Sequence, residues 1–449
     1  LKEETSLMPT EHQVPTATKL ARIAWLSGRD RAKKFGCLMH HFNAESLTAC
    51  FHELDGRKAT GSDRVSKNDY GASLSENLEG LIERMKRMAY RPGPVREVLI
   101  PKEGKPGATR PLGIANFEDK LVQKMTAKIL ESIYEPTFLD CSYGFRPGRG
   151  CHDAISALHC HLFSQPVETV IDVDLADFFG SIRADVVDTL LKERIEDGRF
   201  LRYIQRLLKS GILRDGELTV SDEGVPQGSP ASPVIANIVA HHVIDLWFEN
   251  TVKVHCRGRV AMFRYADDLV ICCQLASDAA RVHKALGLRL AKYGLRLNED
   301  KTRLVNFSKA RRARGERQES FDFLGFSIYL GKSRKGATIP KLRTSRKRLR
   351  SKLKRVTEWA RTMRSRVRLS ALWKTFVAKV RGHIAYYAVS FNKIGVSLFV
   401  RNATWILFKW LNRRGGKRRL SWEKFQRFMQ AFPLPAVRIH HALFTLQPR

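Results

Sequence analysis

Acidic residues nearly vanish from the last quarter of this 449-residue chain, where residues 341–449 hold 28 Lys and Arg against only Glu358 and Glu423. That segment carries +26 of the formal net charge of +34, and the first 340 residues carry the other +8. So lopsided a charge excludes an ordinary metabolic enzyme and points to a polyanionic partner. The C-terminal region reads as the binding surface, and the moderately charged body is left free to hold chemistry.

No stretch of about 18 uncharged apolar residues occurs, which excludes a membrane-spanning helix. The opening LKEETSLMPTEHQ lacks the basic-then-apolar pattern of a secretory signal, and Leu1 in place of Met suggests a processed, trimmed or alternatively initiated start. The expectation is a soluble, cytoplasmic protein, nucleoid-associated when on DNA, with no membrane partner. The eight cysteines contain no C-x-x-C pair, so neither a disulfide framework nor a zinc ribbon is indicated. Cys151, His152, His159, Cys160 and His161 fit no common zinc spacing and read instead as a helix with an apolar face through Ala154, Ile155 and Leu158. No repeat of 20 to 50 residues is present.

What is there suffices to fold. Apolar residues make up 43% of the chain, with 24 Phe and 7 Trp, and the length allows two to four domains at roughly 100 to 200 residues each. Helical spacing marks residues 43–90, with Asn43 as a cap and KATGSDRVS as an intervening loop. VREVLIPKEGKPGATRPLGIA reads as two strands around a basic turn, and a long helix follows from about Glu118 to Tyr134. VETVIDVDLADFF is a strand, DVVDTLLKERI and SPVIANIVAHHVIDLWFEN are helices, and RVAMFRYADDLVICCQL is a tight hairpin. A helix from Ala276 and a further strand FDFLGFSIYL complete a mixed α/β body. From Lys341 the pattern turns helical, with Trp373, Phe376, Val377, Val380, Ile384 and Tyr387 on one stripe behind Ser370 as cap. RRGGKRR then leads into a last small element, SWEKFQRFMQ.

Two acidic features carry chemistry. Asp267 and Asp268 are consecutive, and consecutive strand residues face opposite ways, so both serve one site only at a bend, which the hairpin supplies. In VIDVDLADFF a period of two puts Ile171, Val173 and Leu175 on one face and Asp172 and Asp174 on the other. Such carboxylates repel one another until a cation neutralises them, and oxygen donors of this kind suit Mg²⁺ in a two-metal phosphoryl or nucleotidyl transfer.

The ordered motifs IPKEGKPGATRPLGI, SYGFRPGRGCHDAI, VDLADFFGSI, GVPQGSPASPVIANI, FRYADDLV, GLRLNEDKT and FLGF resemble those of the group II intron-encoded reverse transcriptase and maturase family, over about residues 43–435. The resemblance implies a right-hand polymerase fold, with reverse transcriptase fingers and palm followed by a basic α-helical thumb or maturase domain. The implied divisions are residues 1–90 (N-terminal extension and start of the fingers), 91–330 (fingers and palm), 331–412 (thumb or X domain) and 413–449 (basic nucleic-acid-binding segment).

Residue by residue, the resemblance makes Asp174, Asp267 and Asp268 the ligands of two Mg²⁺ ions, with Asp172 as runner-up on its strand; carboxylates alone do not choose between Mg²⁺ and Mn²⁺. Lys301 matches a lysine that protonates the departing pyrophosphate. Lys102 and Arg110 match the residues that clasp the triphosphate, Phe179 the ring beneath the sugar that selects deoxynucleotides, and Gln227 and Gly228 the contact to the template–nucleotide pair. Phe323, Leu324, Gly325 and Phe326 match the primer grip. Arg343, Arg346, Lys347, Arg348, Arg350, Arg413, Arg414, Lys417, Arg418 and Arg419 are the basic residues expected to bind nucleic acid.

GSPASP and DLADFFGSI depart from the family's usual segments and leave the subfamily open. The expected partners are group II intron RNA, template–primer and target DNA, and deoxynucleotides, in a ribonucleoprotein. The alternatives are a domesticated relative in phage defence, CRISPR adaptation or DNA repair, and a splicing-only RNA-binding maturase. No cysteine follows Cys273, so the cysteine pairs of an HNH-type endonuclease are not expected.

Overall fold

The structure is a computed structural model, and it describes residues 16–101, 107, 109–214, 217–219, 228–414 and 420–443. Local rules account for much of its element order. Asn43 caps the helix Ala44–Glu53 by accepting from the Ser46 N–H at 2.9 Å, an interaction typically worth about 1 kcal/mol. Ser66 and Ser421 cap Lys67–Ala72 and Trp422–Ala431 in the same way. The helix Phe117–Tyr134 is largely enclosed by its neighbours, and Leu121, Val122, Ile129, Leu130 and Ile133 are buried in the first of two hydrophobic cores among the described residues.

Among the described residues three sheets organise the strands. The first pairs β1 (Val95–Pro101) with β2 (Thr109–Ile114), and burial falls along β1 until Leu99 and Ile100 stand exposed at the hairpin's outer end. The central sheet includes β3 (Thr169–Asp174), and the first sheet is completed by β4 (Ile212–Arg214) and β5 (Glu217–Thr219). With β6 (Val260–Tyr265), β7 (Asp268–Cys273) and β8 (Arg303–Asn306), the central order is β6-β7-β3-β8, antiparallel throughout.

The third sheet, β9 (Phe321–Phe323), β10 (Phe326–Lys332) and β11 (Thr338–Thr344), packs into the second core with the C-terminal helices. These helices span Arg346–Met363, Leu369–Tyr387, Lys393–Leu411 and Trp422–Ala431. No helix among the described residues is long and apolar enough to cross a membrane.

The mixed α/β architecture with a helical, basic C-terminal region matches the sequence reading, with four corrections. FDFLGFSIYL is two strands, because Leu324 and Gly325 both take positive φ (48° and 84°) and reverse the chain between Phe323 and Phe326. The chain does not turn helical at Lys341, since β11 runs to Thr344 and the helix begins at Arg346. A boundary at residue 331 therefore cuts through β10. Ser370 lies inside the helix Leu369–Tyr387, whose N-cap position is Arg368. SPVIANIVAHHVIDLWFEN is helical, but after Ala240 it widens into π-helical turns at His241–Asp245 and Phe248–Val252.

Candidate active site

The central sheet has two apolar faces. One sends Ile171, Val173, Leu269 and Ile271 into the first core, and the other sends Val170, Val270, Cys272 and Val305 into the second. The strand period puts Asp172, Asp174 and Asp268 on that second face, at the end where packing stops. Asp174 sits directly across from Asp268 in the β3–β7 register. Tyr265 and Asp268 are themselves a register pair, so Ala266 and Asp267 alone form the β6–β7 turn, with Ala266 at φ 56°. This is the bend that consecutive aspartates require.

The backbone around the turn is crowded. A Cβ placed on Gly144 would lie 2.4 Å from the Ala266 nitrogen, so only glycine admits the SYGF segment beside the turn. That segment is stitched to β6 by Tyr143 N–H donating to the Arg264 carbonyl and Arg264 N–H donating to the Cys141 carbonyl, both at 2.8 Å. The Arg264 side chain is wholly buried. It donates to both oxygens of Asp245 (2.7 and 2.5 Å), to Ser142 Oγ (2.7 Å), to Asn237 Oδ1 (3.1 Å) and to the Ala266 carbonyl in the turn (3.2 Å). Asn237 Nδ2 donates in turn to the Gly144 carbonyl at 2.7 Å.

The electrostatics are those of gathered negative charge. Burial pushes the Asp268 carboxyl up to about 6, Asp267 and Asp174 push the same way, and Arg348 opposes them. Burial also raises Asp267 against the pull of Arg110, and raises Asp172 against Arg303. Asp172 is already engaged by Arg303 at 3.0 Å, whereas Asp174 Oδ2 holds the ammonium of Lys301 at 2.5 Å. The GLRLNEDKT loop that carries Lys301 is fixed to the end of β3 by Asn298 N–H donating to the Asp174 carbonyl at 2.8 Å.

All the donors are hard oxygens, which suit Mg²⁺ or Mn²⁺ in type and charge. Among the described residues no group of three or more His, Cys, Asp or Glu side chains is arranged to grip an ion. Lys301 occupies Oδ2 of Asp174, so a cation shared with Asp267 and Asp268 would meet Oδ1 or compete with the ammonium for Oδ2.

The other sequence candidates fall variously. Arg110, exposed on β2, lies within electrostatic reach of Asp267. Phe178 is core, whereas Phe179 is half-buried and meets the ring of Phe145 edge-on at 6.4 Å. Gly228, at φ 113°, lies so close to β2 that a Cβ there would meet the Gly113 carbonyl oxygen at 2.6 Å.

Phe323 and Phe326 are buried in the second core, so their side chains cannot grip a primer, and only the Leu324–Gly325 turn is left to meet a strand. Arg346, Lys347, Arg348 and Arg350 are exposed on the first turns of their helix, but Arg343 lies on β11. Arg414 Nη2 donates to the Val367 carbonyl, and Arg413 stacks on Trp410, so both brace helix ends. Lys102, Gln227, Lys417, Arg418 and Arg419 lie outside the described residues.

The sequence reading missed Arg264, Asp245, Asn237, Gly144 and Phe145. The signal for three of them was available: an arginine inside the apolar strand AMFRY, and Asn and Asp inside the apolar helix SPVIANIVAHHVID, are polar groups that burial obliges to pair.

Comparison with known proteins agrees with this geometry. Residues 100–328 match the family model described as reverse transcriptase (RNA-dependent DNA polymerase). The chain is 31% identical over 324 residues to protein YkfC of Escherichia coli, covering 64% of this chain and 81% of that protein. It is 30% identical over 230 residues to the group II intron-encoded protein LtrA of Lactococcus lactis, covering 51% of this chain and 38% of LtrA. It is also 30% identical over 235 residues to the putative COX1/OXI3 intron 2 protein of Saccharomyces cerevisiae, covering 51% of this chain and 27% of that protein.

Proposed function

The chain belongs to the reverse transcriptase family of group II intron-encoded proteins and maturases, and we propose that it is an RNA-directed DNA polymerase that also serves as maturase for its own group II intron. In this reading it binds the intron RNA, assists splicing, and copies the intron by target-primed reverse transcription during retrohoming. The observation that carries the polymerase reading is the pairing of Asp174 with Asp268 across β3 and β7, with Asp267 in the adjoining turn. Asp174, Asp267 and Asp268 would hold two divalent ions, whose chemistry is to acidify the primer 3′-hydroxyl and neutralise the departing pyrophosphate.

The chain's own residues supply position and charge. Arg110 offers a guanidinium fork to the triphosphate beside Asp267. Phe179 closes the space beneath the sugar against a ribose 2′-hydroxyl. Lys301, freed from Asp174, provides an ammonium proton for the pyrophosphate. The Leu324–Gly325 turn meets the primer backbone, and Arg346, Lys347 and Arg350 take the duplex or the intron RNA by its phosphates.

The test is deoxynucleotide incorporation on a primed RNA template with Mg²⁺, together with intron splicing at low Mg²⁺, each with the natural chain and Asp267→Asn. Loss of synthesis with retention of splicing is expected. A natural chain that makes no DNA on any primed template overturns the polymerase reading.

A further inference from the structure

The segment between β8 and β9 is rich in arginine, and its charges are unevenly satisfied. Arg311 pairs with Glu168 at 3.9 Å and Arg314 with Glu316 at 3.2 Å, whereas Arg312 and Arg317 have no carboxylate partner among the described residues. Those two unpaired arginines line one cleft of about 560 Å³ together with Arg343 and Tyr329 from the outer face of β10 and β11.

Arg343 lies over the Tyr329 ring at 4.9 Å, and its Nε is buried without a hydrogen-bond acceptor among the described residues. A buried charged donor without an acceptor is costly, and three guanidinium groups around one cleft repel each other, so the arrangement favours an anion between them. Among the described residues Glu319 is the one carboxylate on the cleft wall, and it also accepts from the Asn306 N–H at 3.1 Å.

We propose that this cleft is a second nucleic-acid site, separate from the polymerase cleft, which takes the phosphodiester backbone of single-stranded RNA. Arginine forks match phosphate oxygens in geometry and charge. Glu319 would repel phosphate, but it can accept a hydrogen bond from a ribose 2′-hydroxyl, which favours RNA over DNA. Glu319 is fixed to Asn306, whose register partner is Thr169. The cleft thus adjoins the end of the central sheet remote from Asp174, a strand length of roughly 16 Å away. A strand bound there extends the hold on RNA past the reacting end without entering the site. The inference rests on the proposed function only for the presence of RNA.

The test is photocrosslinking of the full chain to a 4-thiouridine-containing RNA dodecamer, with anisotropy titration at several salt concentrations and primer extension by the same preparations. In the natural chain a crosslink to the Tyr329 peptide is expected. In Arg312→Gln/Arg317→Gln that crosslink falls about five-fold, and the slope of log affinity against log salt shrinks by about 1.4, as for two lost phosphate contacts. Both side chains are exposed, so the fold is retained and primer extension on a short template stays unchanged. A DNA dodecamer of the same sequence crosslinks more weakly.

Equal crosslinking by the variant, or no crosslink to Tyr329, overturns the proposal. So does a site that binds inorganic pyrophosphate while the variant's RNA affinity and slope stay unchanged. A chain that crosslinks as expected but makes no DNA removes the polymerase reading and leaves this site standing.

Discussion

Arg264 and Asp245 form an ion pair with no exposure to solvent, two hydrogen bonds long, and the same guanidinium holds the Ala266 carbonyl in the turn that presents Asp267 and Asp268. Burial alone would raise the Asp245 carboxyl, but the charge of Arg264 wins and holds it below the ordinary carboxylate range. Asp245 reaches Arg264 from a π-helical turn, and Asn237 joins from the preceding helical turns, so the helix after Gly228, the Ser142–Gly144 segment and the β6–β7 hairpin meet at one side chain.

Removing one partner strands the other charge in the core. Asp245→Asn is expected to destabilise the chain by about 3 to 5 kcal/mol, and Arg264→Lys to retain the charge but lose the contact to the turn. Arg264→Lys should therefore lower kcat even at a temperature where the variant remains fully folded, with nucleotide KM little changed. Thermal unfolding beside steady-state extension separates the two effects. A lysine variant whose kcat matches the natural chain's wherever it is fully folded would mean that Arg264 is structural only.

The acidic cluster predicts a pH dependence opposite to that of a salt-bridged carboxylate. The folded chain raises Asp268 from its ordinary value of 3.8 to about 6 and so holds its proton more tightly than the unfolded chain does. The resulting destabilisation is absent below about pH 4, grows between 4 and 6, and is complete above 6. In EDTA the melting temperature should carry a downward contribution across that window, which Asp268→Asn removes. Divalent binding requires the deprotonated form, so Mn²⁺ should raise the melting temperature more at pH 7 than at pH 5.

The limits of the sequence follow from what periodicity and motifs encode. Alternation in VIDVD placed Asp172 and Asp174 on one face, and the structure agrees, because period two is a property of any strand. It could not tell that Asp172 is taken by Arg303, since that contact depends on the β3–β8 register between distant segments. FLGF looked like one strand because four apolar residues hide a turn whose only local signal is Gly325. Arg343 was read with the thumb helix by proximity in sequence, whereas β11 turns it onto another face.

Sugar selection should depend on two rings. Phe179 is half-buried against Phe178, and Phe145, 48% exposed and held at φ 56°, presses edge-on against Phe179. Phe179→Val is expected to raise ribonucleotide use relative to deoxynucleotide use by about 10- to 100-fold, the range available to a shape contact. Phe145→Ala removes only the support, so its ratio of kcat/KM values should fall between those of the natural chain and Phe179→Val. A ratio identical to the natural chain's would mean that Phe145 plays no part in sugar selection.

Arg110 and Lys301 should separate binding from chemistry. Arg110 stands at the exposed end of β2, where its charge reaches Asp267, and its fork is suited to the incoming triphosphate. Arg110→Gln is expected to raise nucleotide KM about ten-fold or more with a smaller change in kcat, because ground-state and transition-state phosphates both lose the contact. Lys301 holds Asp174 Oδ2, and in the proposed mechanism it would compete with the cation for that oxygen. Under the proposed roles, Lys301→Met should lower the Mg²⁺ concentration needed for half-maximal extension while lowering kcat, since the variant has no ammonium to protonate pyrophosphate. A Mg²⁺ titration of single-nucleotide extension with the two variants tests both halves. If Lys301→Met needs more Mg²⁺ than the natural chain, the lysine organises Asp174 for the ion instead of competing with it.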